Sequence, residues 1–344
     1  MTECMPLIVG LPGPVLEPDE LAILERVQPA GVILFGRNVV SAEQVRTLVA
    51  ALVELDPRPF LAVDLEGGMV NRLKPIWGEL PSPAAAASKG RRAVRALGEA
   101  AGAACRSLGI QLDLAPVVDL ERPDSVLTRQ ERCLAADPER VVVLAKIFND
   151  GLASWGIRGC LKHFPGLGEV PLDTHEELPL LDRSESELAP HLEVFAQLSE
   201  SIPLVMVGHV VAPGLGDPER PASLSPTVVQ RAARLPGSPL VLSDDVEMGA
   251  LAASGDLPER VEAALAARNH GVLVCKAFDR LSDIASHLAE RMAADSSLSH
   301  RLLEMAACMG TLRRDLCQRA AAVPAPDDTT VAQLWERARE LAAG

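Results

Sequence analysis

Leu240-Val241-Leu242, followed at once by Ser243-Asp244-Asp245, is one of eight short apolar runs that recur along the chain. The runs cover residues 7–10, 31–35, 60–63, 112–118, 159–161, 204–207, 240–242 and 271–274. Runs of this length that are apolar throughout are typical of strands buried on both faces of a parallel sheet. Eight such strands that alternate with helices predict an α/β fold, the closed (β/α)8 TIM barrel.

Stretches with the apolar spacing of helices separate these runs. The clearest cover residues 41–55, 93–108, 138–155, 184–199, 226–233 and 257–269. Ser41 with Gln44 three positions later is typical of a capping box at a helix start. An open doubly wound sheet is the alternative fold. It is disfavoured because Gly10-Leu11-Pro12-Gly13-Pro14 lacks the glycine spacing of a dinucleotide-binding turn.

The chain after the eighth run carries only helical patterns, over residues 281–319 and 330–343. Between them, the proline-containing stretch 322–328 has the composition of a linker. We therefore predict one catalytic barrel with flanking helices over residues 1–321. Residues 322–344 are expected to form a linker and a C-terminal covering helix.

Composition limits the class of protein. The chain has 344 residues, of which 48% are hydrophobic, so it can bury a large core. No apolar run reaches the eighteen residues of a membrane span, and the N-terminus lacks the segments of a secretory signal, so the cytosol is the expected location. A net charge of −14 disfavours nucleic acid and anionic membranes as partners. Seven scattered cysteines with no Cys-x-x-Cys spacing predict free thiols rather than disulfides or metal ligands.

Polar residues follow six of the eight runs directly. They are Asp64 and Glu66, Asp119, Lys162 and His163, His209, Asp244 and Asp245, and Lys276. Catalytic groups of (β/α)8 enzymes gather at the carboxyl ends of the strands, so we predict an active site at this rim. Asp244 is closer to its strand than Asp245 and is the candidate nucleophile. Asp245 is assigned to helix capping or support of the neighbouring loop.

The densest group of polar residues is the stretch Lys162-His163-Phe164-Pro165-Gly166-Leu167-Gly168-Glu169-Val170-Pro171-Leu172-Asp173-Thr174-His175. Its prolines and glycines predict a loop after a strand that ends near Leu161. Asp173 and His175 are two residues apart, so in an extended segment both side chains leave the same face and can form a hydrogen bond. An imidazole supported by a carboxylate suits proton transfer to and from a leaving group.

This stretch resembles the Lys-His-Phe-Pro-Gly-His-Gly and Asp-Thr-His pattern of the family 3 glycoside hydrolases, in their bacterial single-domain β-N-acetylglucosaminidase branch. Residues 243–248 are similar to the family's Ser-Asp-Asp-Leu-Ser-Met motif, and residues 64–72 to its Asp-Gln-Glu-Gly-Gly-Arg-Val-x-Arg motif. Leu167, Leu65 and Met69 depart from these patterns, since they replace a histidine, a glutamine and an arginine.

The resemblance implies a retaining exo-β-N-acetylglucosaminidase that releases terminal β-linked N-acetylglucosamine, including that of peptidoglycan-derived muropeptides. It implies Asp244 as nucleophile and an Asp173–His175 pair as acid/base. It assigns sugar binding to Asp64, Arg72, Arg132, Lys162 and His163. Arg132 is matched through the Asp-Pro that follows it, with Arg129 as the alternative register. The resemblance implies no cofactor and no metal, a carbohydrate as the only partner, and no particular oligomeric state.

Other functions stay open at this stage. A histidine acid/base does not repel an incoming anion, so phosphorolysis is an alternative to hydrolysis. The departures at Leu167 and Met69 also fit a sugar-binding protein that has lost activity. A metal-dependent hydrolase would use His163, His175, His209 and Asp244, although Lys162 beside His163 disfavours it. No role is expected for His191, His270, His287 and His300, and all except His270 are predicted on solvent-facing helix surfaces.

Overall fold

The computed structural model describes residues 4–168, 170 and 177–344. Within them the strands are β1 Met5–Gly10, β2 Pro29–Leu34, β3 Phe60–Val63, β4 Leu65–Gly67, β5 Val70–Asn71, β6 Leu112–Asp113, β7 Leu161–Phe164, β8 Leu204–Val207, β9 Leu240–Asp245 and β10 Gly271–Val274. The helices are α1 Pro18–Val27, α2 Ala42–Val53, α3 Lys74–Trp77, α4 Pro83–Lys89, α5 Arg91–Ser107, α6 Val126–Arg129, α7 Pro138–Ala153, α8 Glu185–Leu198, α9 Pro226–Ala233, α10 Leu257–Ala266, α11 Leu281–Ala294, α12 Ser296–Ala321 and α13 Asp328–Ala343.

Eight of these strands form one parallel sheet in the order β6-β3-β2-β1-β10-β9-β8-β7. Main-chain hydrogen bonds also join the two edge segments. Arg158 N–H donates to the Gln111 carbonyl at 3.1 Å, and Cys160 N–H donates to the Ala115 carbonyl at 2.8 Å. Val118 N–H reaches across to the Lys162 carbonyl at 2.9 Å. The sheet therefore closes on itself, which confirms the predicted (β/α)8 barrel and rules out the open sheet.

Alternate residues of the strands serve two cores. Ile8, Ile33 and Ala62 point into the barrel and belong to an inner apolar cluster. Val9 and Leu34 belong to the outer cluster, where the surrounding helices pack. Because successive side chains of a strand leave opposite faces, a strand between two apolar cores must be apolar at every position. This requirement is the physical reason for the unbroken runs in the sequence.

Helix α12 closes one end of the barrel. Met309, Leu312 and Leu316 are spaced for one helix face and are members of the inner cluster. An added Cβ at Gly271, the first residue of β10, would lie 2.8 Å from Met309 Cε, so the helix lies against the amino ends of the strands. Arg158 Nη2 also meets Asp315 Oδ2 at 2.5 Å. The amino end is thus sealed, and the carboxyl end is left for a ligand.

The last helix packs on the outside of the barrel. α13 lies against α5 and α4, and Asp327 caps its start by accepting the Thr330 N–H at 2.7 Å. Trp335 is buried, and its indole N–H donates to the Glu79 carbonyl at 2.8 Å. Among the described helices, none is both long enough and apolar enough to cross a bilayer.

Three details differ from the sequence predictions. The fifth run forms β7 at Leu161–Phe164, so Lys162 and His163 lie inside a strand rather than at its C-terminal tip. His191 is buried instead of solvent-facing, because it shares a face of α8 with Leu188 and Phe195. At α2, Ser41 Oγ accepts the Gln44 N–H as predicted, but Gln44 Oε1 accepts from Val40 N–H rather than from Ser41.

Candidate active site

A cavity of about 460 Å³ opens at the carboxyl end of the barrel. Its wall is formed by segments at the ends of β2, β3, β7, β9 and β10 and by the short β4–β5 hairpin. Six residues predicted to act in catalysis or sugar binding lie within the described part of the chain. All six line this cavity: Asp64, Arg72, Arg132, Lys162, His163 and Asp244.

Lys162 lies at the centre of a buried chain of charges. Its Nζ is 2.7 Å from Asp64 Oδ1 and 2.6 Å from Glu66 Oε1. Arg132 then holds Glu66 through two hydrogen bonds of 2.8 Å, from Nε to Oε2 and from Nη2 to Oε1. Acid and base alternate along this chain, so each buried charge has an opposite charge beside it. This two-point contact places Arg132 in the wall of the cavity.

The charges in this chain stabilise one another. Burial opposes ionisation of Glu66, but the positive charges of Arg132 and Lys162 outweigh it and hold the Glu66 pKa well below its usual range. Burial likewise disfavours a charged Lys162, but Asp64 and Glu66 raise the Lys162 pKa above its usual value. Both groups are therefore ionised at neutral pH. A rigid, charged wall of this kind can form strong hydrogen bonds with the hydroxyls of a sugar.

Asp119 orients His163. Asp119 Oδ2 accepts the His163 main-chain N–H at 3.0 Å and lies 2.8 Å from the ring Nδ1. Oδ1 accepts the Leu167 N–H at 2.5 Å, so one buried carboxylate holds both the strand and the loop that follows it. A carboxylate accepts hydrogen bonds, so Nδ1 carries the hydrogen of the ring. Nε2 is then the ring nitrogen available to a ligand in the cavity.

Asp244 and Asp245 differ in environment although they are adjacent. Burial alone would raise the Asp244 pKa, but the electrostatic influence of His209 and His163 and the Asp245 N–H, at 2.8 Å from Oδ1, lower it overall. Asp244 is therefore a carboxylate at neutral pH. Burial and the charge of Glu247 instead raise the Asp245 pKa to about 7.

Asp245 and His209 form hydrogen bonds that hold the segments behind the cavity wall. Asp245 Oδ1 accepts the N–H groups of Glu247 at 3.1 Å and Cys275 at 3.3 Å, and so joins the segments that follow β9 and β10. This contact agrees with the loop support expected of Asp245. His209 is buried, with Nε2 2.8 Å from the Asp245 carbonyl and Nδ1 2.7 Å from Ser223 Oγ. It therefore holds the segment beneath the cavity wall.

The structure gives positions in the site to residues for which the sequence predicted no individual role. Glu66 touches both Lys162 and Arg132, and its signal was the alternation Asp64-Leu65-Glu66 at a strand end. Arg37 donates to the Leu11 carbonyl at 2.7 Å, and its guanidinium carbon lies 4.7 Å from the centre of the Phe35 ring in the cavity wall. Arg129, the alternative to Arg132, is not among the described residues that line the cavity.

Asp173 and His175 lie outside the described residues, so their predicted pairing stays a prediction. Leu167, which replaces a family histidine, is buried and lines the cavity. In the described part of the chain, no three histidine, cysteine, aspartate or glutamate side chains form a group suited to a metal ion. The seven cysteines are all free thiols, and five of them are buried.

The closed barrel and the buried charges at its carboxyl rim define an enzyme of the (β/α)8 class. A family model described as the glycosyl hydrolase family 3 N terminal domain matches residues 15–304. The beta-hexosaminidase of Tolumonas auensis is 35% identical over 280 residues, which cover 78% of this chain and 82% of that protein. The beta-hexosaminidase of Stenotrophomonas maltophilia strain R551-3 is 35% identical over 320 residues, which cover 90% and 91%.

A solved structure shares the same architecture. NagZ from Neisseria gonorrhoeae, in complex with N-trifluoroacetyl-D-glucosamine, matches with a TM-score of 0.74 and 28% identity over 98% of this chain and 90% of that chain. The chain belongs to glycosyl hydrolase family 3. It is a glycoside hydrolase, and the family resemblance inferred from the sequence motifs is confirmed.

Proposed function

We propose that the protein is a retaining exo-β-N-acetylglucosaminidase. The observation that carries this proposal is the carboxylate of Asp244 in the same cavity as Lys162, Arg132 and His163. The named relatives are beta-hexosaminidases, and a related structure holds an N-acylated glucosamine. An ionised carboxylate in a cavity lined with sugar-binding groups is what attack on an anomeric carbon requires.

The proposed reaction has two steps. Asp244 Oδ attacks the anomeric carbon, the glycosidic bond breaks, and the leaving oxygen takes a proton from His175, which Asp173 orients. His175 then removes a proton from a water molecule whose oxygen attacks the anomeric carbon of the glycosyl-enzyme. The bond to Asp244 breaks, N-acetylglucosamine leaves, and both catalytic groups return to their starting states.

The described cavity wall supports binding of a terminal sugar ring. Asp64 supplies acceptors, and Lys162, Arg132 and Arg72 supply donors, which is the mixture that several neighbouring hydroxyls need. Arg72 Nε is buried without a hydrogen-bond partner among the described residues, so a ligand oxygen would satisfy it. We extend the proposal to a cytosolic enzyme that removes N-acetylglucosamine from peptidoglycan-derived muropeptides, as the resemblance to the bacterial branch implies.

The first test concerns the nucleophile. We expect Asp244→Ala to abolish release of p-nitrophenol from its β-N-acetylglucosaminide and to abolish the covalent adduct that a fluoro-sugar forms with the wild-type protein, as judged by intact mass. Asp217→Asn is the matched control, because Asp217 also accepts main-chain N–H groups but lies in a loop away from the cavity. Retained turnover by Asp244→Ala would exclude the proposed nucleophile.

The same assay decides between the other functions. Aryl β-N-acetylglucosaminide and aryl β-glucoside are compared with and without phosphate, and the products are separated. Formation of a sugar 1-phosphate would show that the enzyme is a phosphorylase rather than a hydrolase. Binding of N-acetylglucosamine without turnover of either substrate would instead indicate a sugar-binding protein.

The second test concerns the proton donor. His175→Ala should slow hydrolysis of alkyl glycosides, whose leaving groups need protonation, far more than hydrolysis of p-nitrophenyl glycosides, because acid catalysis contributes roughly 10²- to 10⁴-fold where the leaving group is poor. Rates with both kinds of substrate are measured at saturating concentration. An equal loss on both would show that His175 does not protonate the leaving oxygen.

A further inference from the structure

Asp113 is a buried acid that the proposed mechanism does not use. It ends β6, it is fully buried, and it interrupts an otherwise apolar run. Its Oδ1 accepts the Leu65 N–H at 2.9 Å. Leu65 stands between Asp64 and Glu66, which are the two carboxylates that hold Lys162. Asp113 therefore fixes the peptide that joins Asp64 to Leu65, one step behind the cavity wall.

We propose that Asp113 is a positioning residue, which in its neutral, protonated form holds the Asp64–Glu66 segment so that both carboxylates reach Lys162. The inference rests on the proposed function for its effect on sugar binding. Asp113 acts through Leu65 N–H, and it is Asp64 that lines the cavity. A shift of about 1 Å in a group that contacts substrate can cost up to ~100-fold in activity, so a single well-placed acceptor behind the wall has a measurable effect.

The balance of buried charge requires the neutral form. Lys162 and Arg132 are already matched by Asp64 and Glu66, so a third carboxylate would be an uncompensated buried charge. Asp113 Oδ2 is buried and has no hydrogen-bond partner among the described residues. Burying a charged oxygen without a partner costs more free energy than burying the hydroxyl of a neutral acid. Burial raises the Asp113 pKa well above its usual value. It outweighs the Leu65 N–H and the charge of Lys162, which lower this pKa, and the charges of Asp64 and Glu66 act in the same direction as burial.

Among the described residues, Asp113 forms no ion pair of its own. The titratable and charged side chains that influence it, or that it influences, are Asp64 after β3, Glu66 on β4, Cys105 on α5, Cys160 before β7, and Lys162 on β7. Burial raises the pKa of both thiols, so they stay neutral. Lys162 is the cation in this set. Ionised Asp113 would therefore compete with Asp64 for Lys162 and loosen the cavity wall.

Two variants separate the acceptor from the charge. Asp113→Asn keeps an oxygen for Leu65 N–H and removes the ionisable proton, whereas Asp113→Ala removes the acceptor. We expect Asp113→Ala to weaken binding of N-acetylglucosamine by about tenfold, measured by calorimetry at pH 7. Asp113→Asn should bind like the wild type, as should the control Asp217→Asn.

The pH dependence tests the neutral form. In the unfolded chain an aspartate loses its proton near pH 3.9, whereas folded Asp113 keeps it to higher pH, so the contribution of Asp113 to the stability of the wild type falls as pH rises above about 4. Asp113→Asn has no such loss. Its advantage in Tm over the wild type should therefore grow from pH 4 upwards. At a pH high enough to ionise folded Asp113, sugar binding should weaken in the wild type and stay constant in Asp113→Asn.

The outcomes are distinguishable. Unchanged binding by folded Asp113→Ala, or a Tm difference between Asp113→Asn and wild type that is the same at every pH, overturns the proposal. Where Asp113→Ala does not fold, the Tm series of Asp113→Asn and its sugar binding at increasing pH decide. A wild type that neither binds nor cleaves N-acetylglucosaminides refutes the proposed function alone. In that case the Tm series and a crystal structure of Asp113→Asn, which must keep the Asp64–Lys162 contact, still test Asp113.

Discussion

Lys162 shows what a single buried charge requires. Its ammonium group is almost fully buried, and it is tolerated in a strand because Asp64 and Glu66 meet it at 2.7 and 2.6 Å. Removing one partner from such a group usually costs more than the pair contributes, because the remaining charge stays buried without compensation. Each charge in this chain therefore depends on its partners to remain in the cavity wall.

Glu66→Gln tests this view. The change leaves Lys162 and Arg132 with one carboxylate fewer, so we expect the free energy of unfolding at pH 7 to fall by roughly 3–5 kcal/mol. The Glu66 pKa lies below its ordinary value of 4.5, so the stabilisation is present above pH 4.5 and is lost as pH falls towards the folded pKa. The difference between variant and wild type should accordingly shrink in acid.

Urea unfolding over a pH series measures this effect. Glu185→Gln is the control, because Glu185 also pairs with an arginine, Arg231, but on the surface, where solvent screens the interaction. We expect no measurable change in that control. A Glu66→Gln protein as stable as the wild type at neutral pH would mean that the buried charges do not depend on one another.

The sequence predicted the individual residues of the site better than the contacts between them. The motif positions Asp64, Arg72, Arg132, Lys162, His163 and Asp244 were found from the sequence, and all lie in one cavity. Glu66 and Asp119 were seen as polar ends of runs without an assigned contact. Asp113 was hidden inside an apolar run. Asp119 and His163 are 44 positions apart in sequence, and no local pattern indicates that they touch.

Among the secondary-structure elements, the short β4–β5 hairpin forms part of the cavity wall. It carries Glu66 and turns at Gly67, which has a φ of 101°. A Cβ at Gly67 would lie 2.1 Å from the Pro81 carbonyl oxygen, so neither the conformation nor the space admits a side chain. The sequence did not reveal this hairpin, since strands of two and three residues are too short to show a periodicity.

Gly67→Ala should therefore disturb the cavity from the hairpin side. We expect the free energy of unfolding to fall by more than about 1 kcal/mol, since alanine is strained at positive φ, and we expect KM to rise because Glu66 shifts against Lys162. Gly310→Ala is the control, because a Cβ there meets only the end of Arg314 at 3.6 Å within α12. Equal stability and equal KM in the two variants would contradict the assigned role of the hairpin.

The whole molecule was predictable to the extent that its burial pattern repeats. Eight strands that are buried on both faces appear in the sequence as eight apolar runs. A closed sheet surrounded by helices buries both faces of all eight strands. The position of α12 across the amino end of the barrel was not predictable in this way. Its apolar spacing at Met309, Leu312 and Leu316 resembles that of any helix on the outside of a barrel, and only the assembled sheet provides the opening that it fills.

That helix also determines the route of the reactants. With Met309, Leu312 and Leu316 filling the amino end, the described part of the barrel is open to a ligand at the carboxyl rim. In the proposed exo reaction, the released monosaccharide would leave through this same opening, after the rest of the substrate has moved aside. Free N-acetylglucosamine would therefore compete with substrate for the cavity, and product inhibition would slow turnover as the product accumulates.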